Sequence, residues 1–345
     1  MQDRFIQLYV QNDDLIRSEL LAGLGAPQAH TSPKYLYDAL GSKLFEAICE
    51  LPEYYPTRTE AAIFATFGDA IAESVGTGAT LIDLGAGNCA KAARLFSRLQ
   101  PAQYVPIDIS VDFLRDTVAI LQQRFPEIDM LGVGMDFSGS LELPEEVSRR
   151  QRLFFYPGSS IGNYTPDEAL LYLRRIRAAC GGAASEAVTR DNDDTGGEGG
   201  LLIGVDLVKD TALLDAAYDD ALGVTAAFNL NMLRHLNHLL DADFDVSDWR
   251  HAGFFNAAES RIEMHLEARR DVTVTWPGGQ RRFHAGERIH TENSYKYTQQ
   301  GFASLLERAG FEVRHVWTDP RHWFMVCHAR LANPAKGTPS MRTAS

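Results

Sequence analysis

Cysteine is scarce: the 345 residues hold four, Cys49, Cys89, Cys180 and Cys327, and no two form a C-x-x-C pair. That excludes a disulfide scaffold and a zinc ribbon, and four free thiols fit a reducing compartment. No apolar run is long enough to span a bilayer. The N-terminus has no secretory h-region, since Asp3, Arg4, Asp13 and Asp14 interrupt its apolar residues. Positive charge is also short: 33 Lys and Arg against 46 Asp and Glu leave a net charge of −13, without a Lys/Arg run. Non-specific nucleic-acid binding needs a basic face, so no such partner is expected. The expectation is a cytoplasmic monomer that touches neither nucleic acid nor membrane. Hydrophobic residues, at 45%, are ample for a buried core. The length fits two domains, or one with a large elaboration.

The chain is organised around TLIDLGAGNCAK, residues 80–91. Leu81, Ile82 and Leu84 supply a buried strand, and Gly85 and Gly87 allow a tight turn that approaches a ligand without Cβ clashes. A following helix would aim free backbone N–H groups over the turn. Gly85, Gly87 and Ala90 fit the dinucleotide pattern G-x-G-x-x-G/A, with Asp108 about 20 residues on. The same stretch resembles the [V/I/L]-[D/E]-L-G-x-G motif of class I methyltransferases, which bind S-adenosylmethionine (SAM). Asp83 holds the acidic position, where a nicotinamide site usually has an apolar residue, and so favours SAM.

Ile16, Leu20 and Leu24, then Leu40, Leu44 and Phe45, fall at helical spacing, with a turn-rich connector between them. LPEYYPTRTE carries Tyr54 and Tyr55 between two prolines, and Thr57 with Glu60 predicts a capping box and a helix from about 58 to 75. Strands are expected over 80–84, 103–108, 129–134, 152–156 and 200–206, and helices over 90–99, 110–124 and 166–180. This alternation predicts an α/β fold with a doubly wound, mostly parallel sheet. Residues 181–200, rich in Gly, Asp and Glu, predict a disordered loop. Helix over 213–240 and strands over 261–268, 271–275 and 289–297 then suggest an insertion. A helix over 300–309 and two strands resemble the close of a class I methyltransferase, whose last strand inserts antiparallel. The expected division is a SAM-binding domain over 59–207 and 296–331, and a smaller α+β substrate domain over 1–58 and 208–295. Residues 332–345 are an expected flexible tail.

Asp108, ending the second strand, is placed to accept from both ribose hydroxyls, or else to cap the next helix; Ser110 could take that capping role. Asp136 and Phe137 end the third strand, where an acid accepts from an adenine amine and an aromatic ring covers its face. GSSIGNY, residues 158–164, follows the fourth strand, and Asn163 offers both donor and acceptor. DNA amino-methyltransferases carry [D/N/S]-P-P-[Y/F] there, and I-G-N-Y is not that motif.

With LPEYYPTRTE, the long segment LVKDTALLDAAYDDALGVTAAFNLN (207–231) and IHTENSYKY (289–297) carry a sharper resemblance. From about Pro33 to Leu331 the chain closely resembles the histidine-specific methyltransferase family, ergothioneine-pathway enzymes that convert histidine to N-α-trimethylhistidine. The resemblance implies SAM contacts at Gly85, Lys91, Asp108, Asp136 and Phe137. It implies that Tyr54, Asn163 and Tyr218 hold the amino and carboxylate ends of histidine, with Tyr54 and Asn163 the expected catalytic residues. Glu292 and Ser294 would hold the imidazole, and Met264 would line its pocket. The chemistry is consistent: a neutral imidazole has one donor and one acceptor nitrogen, and residues two apart on a strand share a face.

Asn88 and Cys89 depart from the small hydroxyl residue that many relatives have after the second glycine. Cys89, at a helix start, reads either as a low-pKa thiol or as a packed small residue, the latter favoured. His235 and His238 lack a third ligand at zinc spacing, so no metal is expected; Tyr295 and Tyr297 read as packing. Three other readings stay open: a tryptophan-type N-methyltransferase, which Glu292 and Met264 disfavour, a non-catalytic SAM-binding module, and a nicotinamide enzyme.

Overall fold

The computed structural model describes residues 4–9, 12–181 and 199–332. The expected loop over 181–200, save its ends, and the expected tail, save Ala332, lie outside the described residues. The chain begins with β1 (Phe5–Gln7), α1 (Asp13–Gly25), α2 (Ala39–Cys49) and α3 (Tyr55–Val75). Asn12 and Asp38 cap α1 and α2 by accepting from Leu15 N and Gly41 N. The expected Thr57/Glu60 capping box does not form. The helix starts at Tyr55, with Pro56 in its first turn, because the proline's fixed φ is already helical. Glu60 is then far enough inside the helix to turn inward, where it is 1% exposed.

The alternating region follows: β2 (Thr80–Leu84), α4 (Ala90–Ala93), α5 (Phe96–Leu99), β3 (Gln103–Asp108), α6 (Val111–Arg124), β4 (Asp129–Met130), β5 (Gly132–Gly134), β6 (Arg152–Tyr156), α7 (Pro166–Ala179) and β7 (Gly200–Asp206). The single helix expected over 90–99 is broken into α4 and α5. The insertion is α8 (Thr211–Tyr218), α9 (Val224–Leu240), β8 (Trp249–Asn256), β9 (Arg261–Ala268), β10 (Val272–Trp276), β11 (Gly279–Phe283) and β12 (Arg288–Tyr295). Strands β1, β8 and β11 are additions to the expected set. The chain closes with α10 (Gln299–Ala309), β13 (Phe311–Thr318) and β14 (Phe324–Leu331).

The main sheet has the order β1-β5-β3-β2-β6-β7-β14-β13, with β4 also on β3. It is parallel from β1 to β7, and β14 runs antiparallel between β7 and β13. Strand order steps outward from β2 in both directions, so the chain's crossovers reverse there. Ligands of such sheets bind at that switch point, beyond the carboxyl ends of the strands. Successive residues alternate between two cores. Ile82, Phe154 and Ile203 pack with α7 and α10 on one face, and Leu81, Phe155 and Leu202 with α3 and α6 on the other. A third core joins the N-terminal helices to the insertion: Leu20, Leu24 and Leu36 with Phe228, Met232, Leu236, Trp249 and Met264. The fold is a class I methyltransferase sheet with an α+β elaboration.

Candidate active site

Gly85 and Gly87 take positive φ, 70° and 52°, at the carboxyl end of β2. A Cβ at Gly85 would lie 3.4 Å from the Phe137 ring, so this ring packs directly on the turn. Asp108 Oδ2 accepts from Gly87 N and Oδ1 from Ser110 N, both at 2.9 Å. Ser110 occupies the cap position of α6 without a side-chain bond, so the expectation that it would relieve Asp108 fails. Each carboxylate oxygen still has a free lone pair for a hydroxyl donor. Asp136 Oδ1 accepts from Ser138 N and Oγ at 3.0 and 2.6 Å. Asp83 is 2% exposed and accepts from the Tyr104 hydroxyl at 2.8 Å, so it is held in the sheet beneath the turn. Burial pushes its carboxyl up to about 7, against the Tyr104 hydrogen bond and the Lys91 charge. Cys89 is buried with positive φ, and burial pushes its thiol up to about 12, which is a packed residue and not a reactive thiol.

Glu60 emerges as a joint of the site. Its Oε2 takes Lys91 Nζ and its Oε1 takes Gly158 N, both at 2.7 Å. It thereby ties α3 to the first helix after the glycine turn and to the loop after β6. Gly158 has φ 77°, which favours glycine, and Lys91 Nζ lies 2.9 Å from where a Cβ there would be.

The remaining residues come from distant segments. Tyr54 precedes α3, with its ring 6.0 Å from that of Tyr218 at the end of α8. Gly253 of β8 leaves room for the Tyr218 carbonyl, which a Cβ would approach to 2.6 Å. The turn Ser160–Asn163 presses on β12, with Gly162 against the Tyr295 backbone and near Ser294 Oγ. On β12 a bulge between His290 and Glu292 re-aims the strand, and Thr291 Oγ1 bonds Met264 O at 3.0 Å. Past the bulge the register is regular, with Glu292 opposite Met264 and Ser294 opposite Ile262, so both polar side chains share a face. Ser294, Tyr218 and Lys296 form a buried triangle: Tyr218 to Ser294 at 2.9 Å, Lys296 to Ser294 at 2.7 Å and Lys296 to Tyr218 at 3.1 Å.

Near this triangle the Asn163 amide, the Tyr54 and Tyr37 hydroxyls and the Glu292 carboxylate have no hydrogen-bond partner among the described residues. Burial pushes the Glu292 carboxyl up to about 7, with Lys296 pulling the other way. Burial also holds the Tyr54 and Tyr37 hydroxyls well above the usual phenol range, with Tyr218 a further cause for Tyr54 and Glu292 for Tyr37. Tyr37, Phe45, Glu60 and Lys296 lie beside these residues, although the sequence marked Phe45 and Glu60 only as parts of helices and singled out neither Tyr37 nor Lys296. Tyr37 and Phe45 pack their rings 5.5 Å apart beside Tyr54. Lys296 stands two residues past Ser294 in the same motif, and that spacing was the available signal. His235 bonds Tyr35 O, and among the described residues no cluster of His, Cys, Asp or Glu is arranged to hold a metal ion. Among them, too, no helix is long and apolar enough to cross a membrane.

A family model described as "Histidine-specific methyltransferase, SAM-dependent" matches residues 16–331. The chain is 39% identical over 313 residues to a Histidine N-alpha-methyltransferase of Mycolicibacterium smegmatis, covering 89% of this chain and 92% of the relative. It is 38% identical to one of Mycobacterium tuberculosis, covering 88% and 91%. The "Ergothioneine biosynthesis protein 1" of Neurospora crassa matches 82% of this chain at 32% identity, over 31% of its own length. With the family model spanning most of the chain, and these relatives matching it nearly end to end, the protein belongs to the histidine-specific, SAM-dependent methyltransferase family.

Proposed function

We propose that this chain transfers methyl groups from SAM to the α-amine of L-histidine, three times in succession, giving N-α-trimethylhistidine for ergothioneine synthesis. The substrate assignment rests on Glu292. It is a partly buried carboxylate without a hydrogen-bond partner among the described residues, on the strand face of Ser294 and across from Met264. Such a group is costly unless a ligand donor meets it, and an imidazole N–H is that donor.

The crevice fits SAM. The Phe137 ring lies against the glycine turn, Asp108 has lone pairs for ribose hydroxyls, and Lys91 offers a cation for a carboxylate. SAM supplies, when bound, an electrophilic methyl group on a sulfonium. The chain's residues position the amine. Asn163 and the Tyr54 hydroxyl, unpartnered among the described residues, orient the nitrogen lone pair. The Tyr218 ring stands beside that of Tyr54. The amine must be neutral at each attack, and each of the first two transfers leaves an N–H that must be lost before the next. Burial raises the Tyr54 pKa, so its hydroxyl stays protonated and does not take the proton, which leaves to water. We place SAM binding in 59–207 with 296–331 and histidine binding in 1–58 with 208–295. The third core supports this division. A reducing, cytoplasmic setting accords with the four free thiols.

Incubation with SAM and an amino-acid panel, followed by mass spectrometry, tests the proposal. Histidine gaining three methyl groups is the expected result. Preferential turnover of tryptophan would overturn it.

A further inference from the structure

Lys296 is 3% exposed and has three hydrogens to place. All three are used: Asp206 Oδ2 at 2.8 Å, Ser294 Oγ at 2.7 Å and Tyr218 Oη at 3.1 Å. Asp206 also takes Lys209 at 2.6 Å and the Tyr55 hydroxyl at 2.8 Å. Although burial opposes it, the two lysines hold the Asp206 carboxyl below its usual value. Asp206 in turn raises Lys296 against burial, while Lys209 is pulled down to about 8. Lys296 is thus a fixed cation.

An ammonium can only donate. Ser294 Oγ and Tyr218 Oη each accept one bond from it. The Tyr218 hydroxyl donates to Ser294 Oγ at 2.9 Å. Both lone pairs of Ser294 are then filled, and its own hydrogen is left for the pocket. If the bond between the two hydroxyls ran the other way, Tyr218 would keep the outward hydrogen instead. The first arrangement, with Tyr218 donating, is the one that turns a donor from Ser294 toward the imidazole. Glu292, two residues back on the same face, presents an acceptor when ionised.

We propose that Lys296 is a positioning residue: it fixes the Ser294–Tyr218 pair as a hydrogen-bond donor, so that with Glu292 the pocket takes the imidazole neutral and in one tautomer. This rests on the reading that Ser294 faces the imidazole. A donor there excludes the imidazolium, which has no acceptor nitrogen, and side chains that offer only an N–H. Without Lys296, Ser294 has an open lone pair and is free to accept, so the discrimination is lost.

Lys296→Met tests this, because Asp206 keeps Lys209 and Tyr55. The histidine KM is expected to rise roughly tenfold, with kcat within about threefold and the SAM KM unchanged. Ser294→Ala is expected to raise the histidine KM in the wild-type background and to add little on top of Lys296→Met. The NMR spectrum of 15N-labelled histidine bound beside S-adenosylhomocysteine reads the ring directly. One protonated and one bare nitrogen are expected in the wild type, and averaging in the variant. A variant that keeps both the wild-type KM and the single tautomer overturns the proposal. So does an imidazolium or a tautomer mixture in the wild type, a result that needs no variant to fold. If Ser294→Ala alone leaves the histidine KM unchanged, the underlying placement of the imidazole fails, a separate outcome.

Discussion

Glu292 shows how a single residue can favour binding at the expense of the free fold. Its folded pKa, about 7, lies above its ordinary value of 4.5. The folded state therefore holds the proton more tightly than the unfolded state does. The stabilisation is fully present below about 4.5 and is lost as pH rises through 7. Glu292→Gln removes the charge, so the ligand-free variant is expected to be more stable than wild type at pH 8, by on the order of 1–3 kcal/mol. The gain should vanish near pH 4.5. Denaturant melts at both pH values check this, and a variant no more stable at pH 8 would count against an unpaired carboxylate. The histidine KM of the same variant should rise. Tyr54→Phe separates positioning from base catalysis. The acid limb of the wild-type pH–rate profile should persist in it at a reduced rate, whereas abolished transfer with histidine still bound would identify Tyr54 as the base. Residue-scale reading of the sequence had one instructive failure. Thr57-x-x-Glu60 matches a capping box, yet Pro56 starts the helix earlier and the Glu60 charge serves Lys91 and Gly158, from other parts of the chain. A local pattern carries no record of such distant partners.

At the scale of elements, the turn Ser160–Asn163 and strand β12 meet without a side chain between them. A Cβ at Gly162 would lie 2.8 Å from Tyr295 O. Gly162→Ala must push the turn away from the strand and carry Asn163 with it. A displacement of about 1 Å in a positioned reaction costs on the order of a hundredfold in rate, so kcat/KM should fall by about ten- to a hundredfold in a protein that remains folded. Steady-state kinetics beside circular dichroism check this, and an unchanged kcat/KM would refute the contact's role. The alternating strands were legible because strands buried on both faces read as short apolar runs between helical periods. Strand β8 was not: WRHAGFFN has no clean alternation, and its Gly253 serves the Tyr218 carbonyl instead of the strand. Strand β1 has only three residues and gains its place from β5. Tyr37 was silent for a related reason, since its meaning lies in Phe45, which another element supplies, and the spacing of Lys296 from Ser294 carried no sign of Asp206 or Tyr218.

For the whole molecule, the site has two walls with separate cores, one from the main sheet and one from the N-terminal helices and insertion. Ligands that touch both should fasten them together. S-adenosylhomocysteine and histidine together are expected to raise the melting temperature beyond either alone. The gain follows mass action, about 2.7 kcal/mol at a hundredfold excess over Kd. Tryptophan in place of histidine should add nothing, and calorimetric scans with each ligand decide it. The antiparallel β14 has a consequence for synthesis. It fills the slot between β7 and β13, although β7 is made long before it. A nascent chain that has emerged only to residue 310 carries β7 with one edge unpaired, an adhesive surface for other chains. The sheet is sealed when the ribosome has delivered Phe324–Leu331. Until then the growing polypeptide needs protection at that edge, and stalls or truncations just short of β14 should aggregate when shorter losses beyond Leu331 do not.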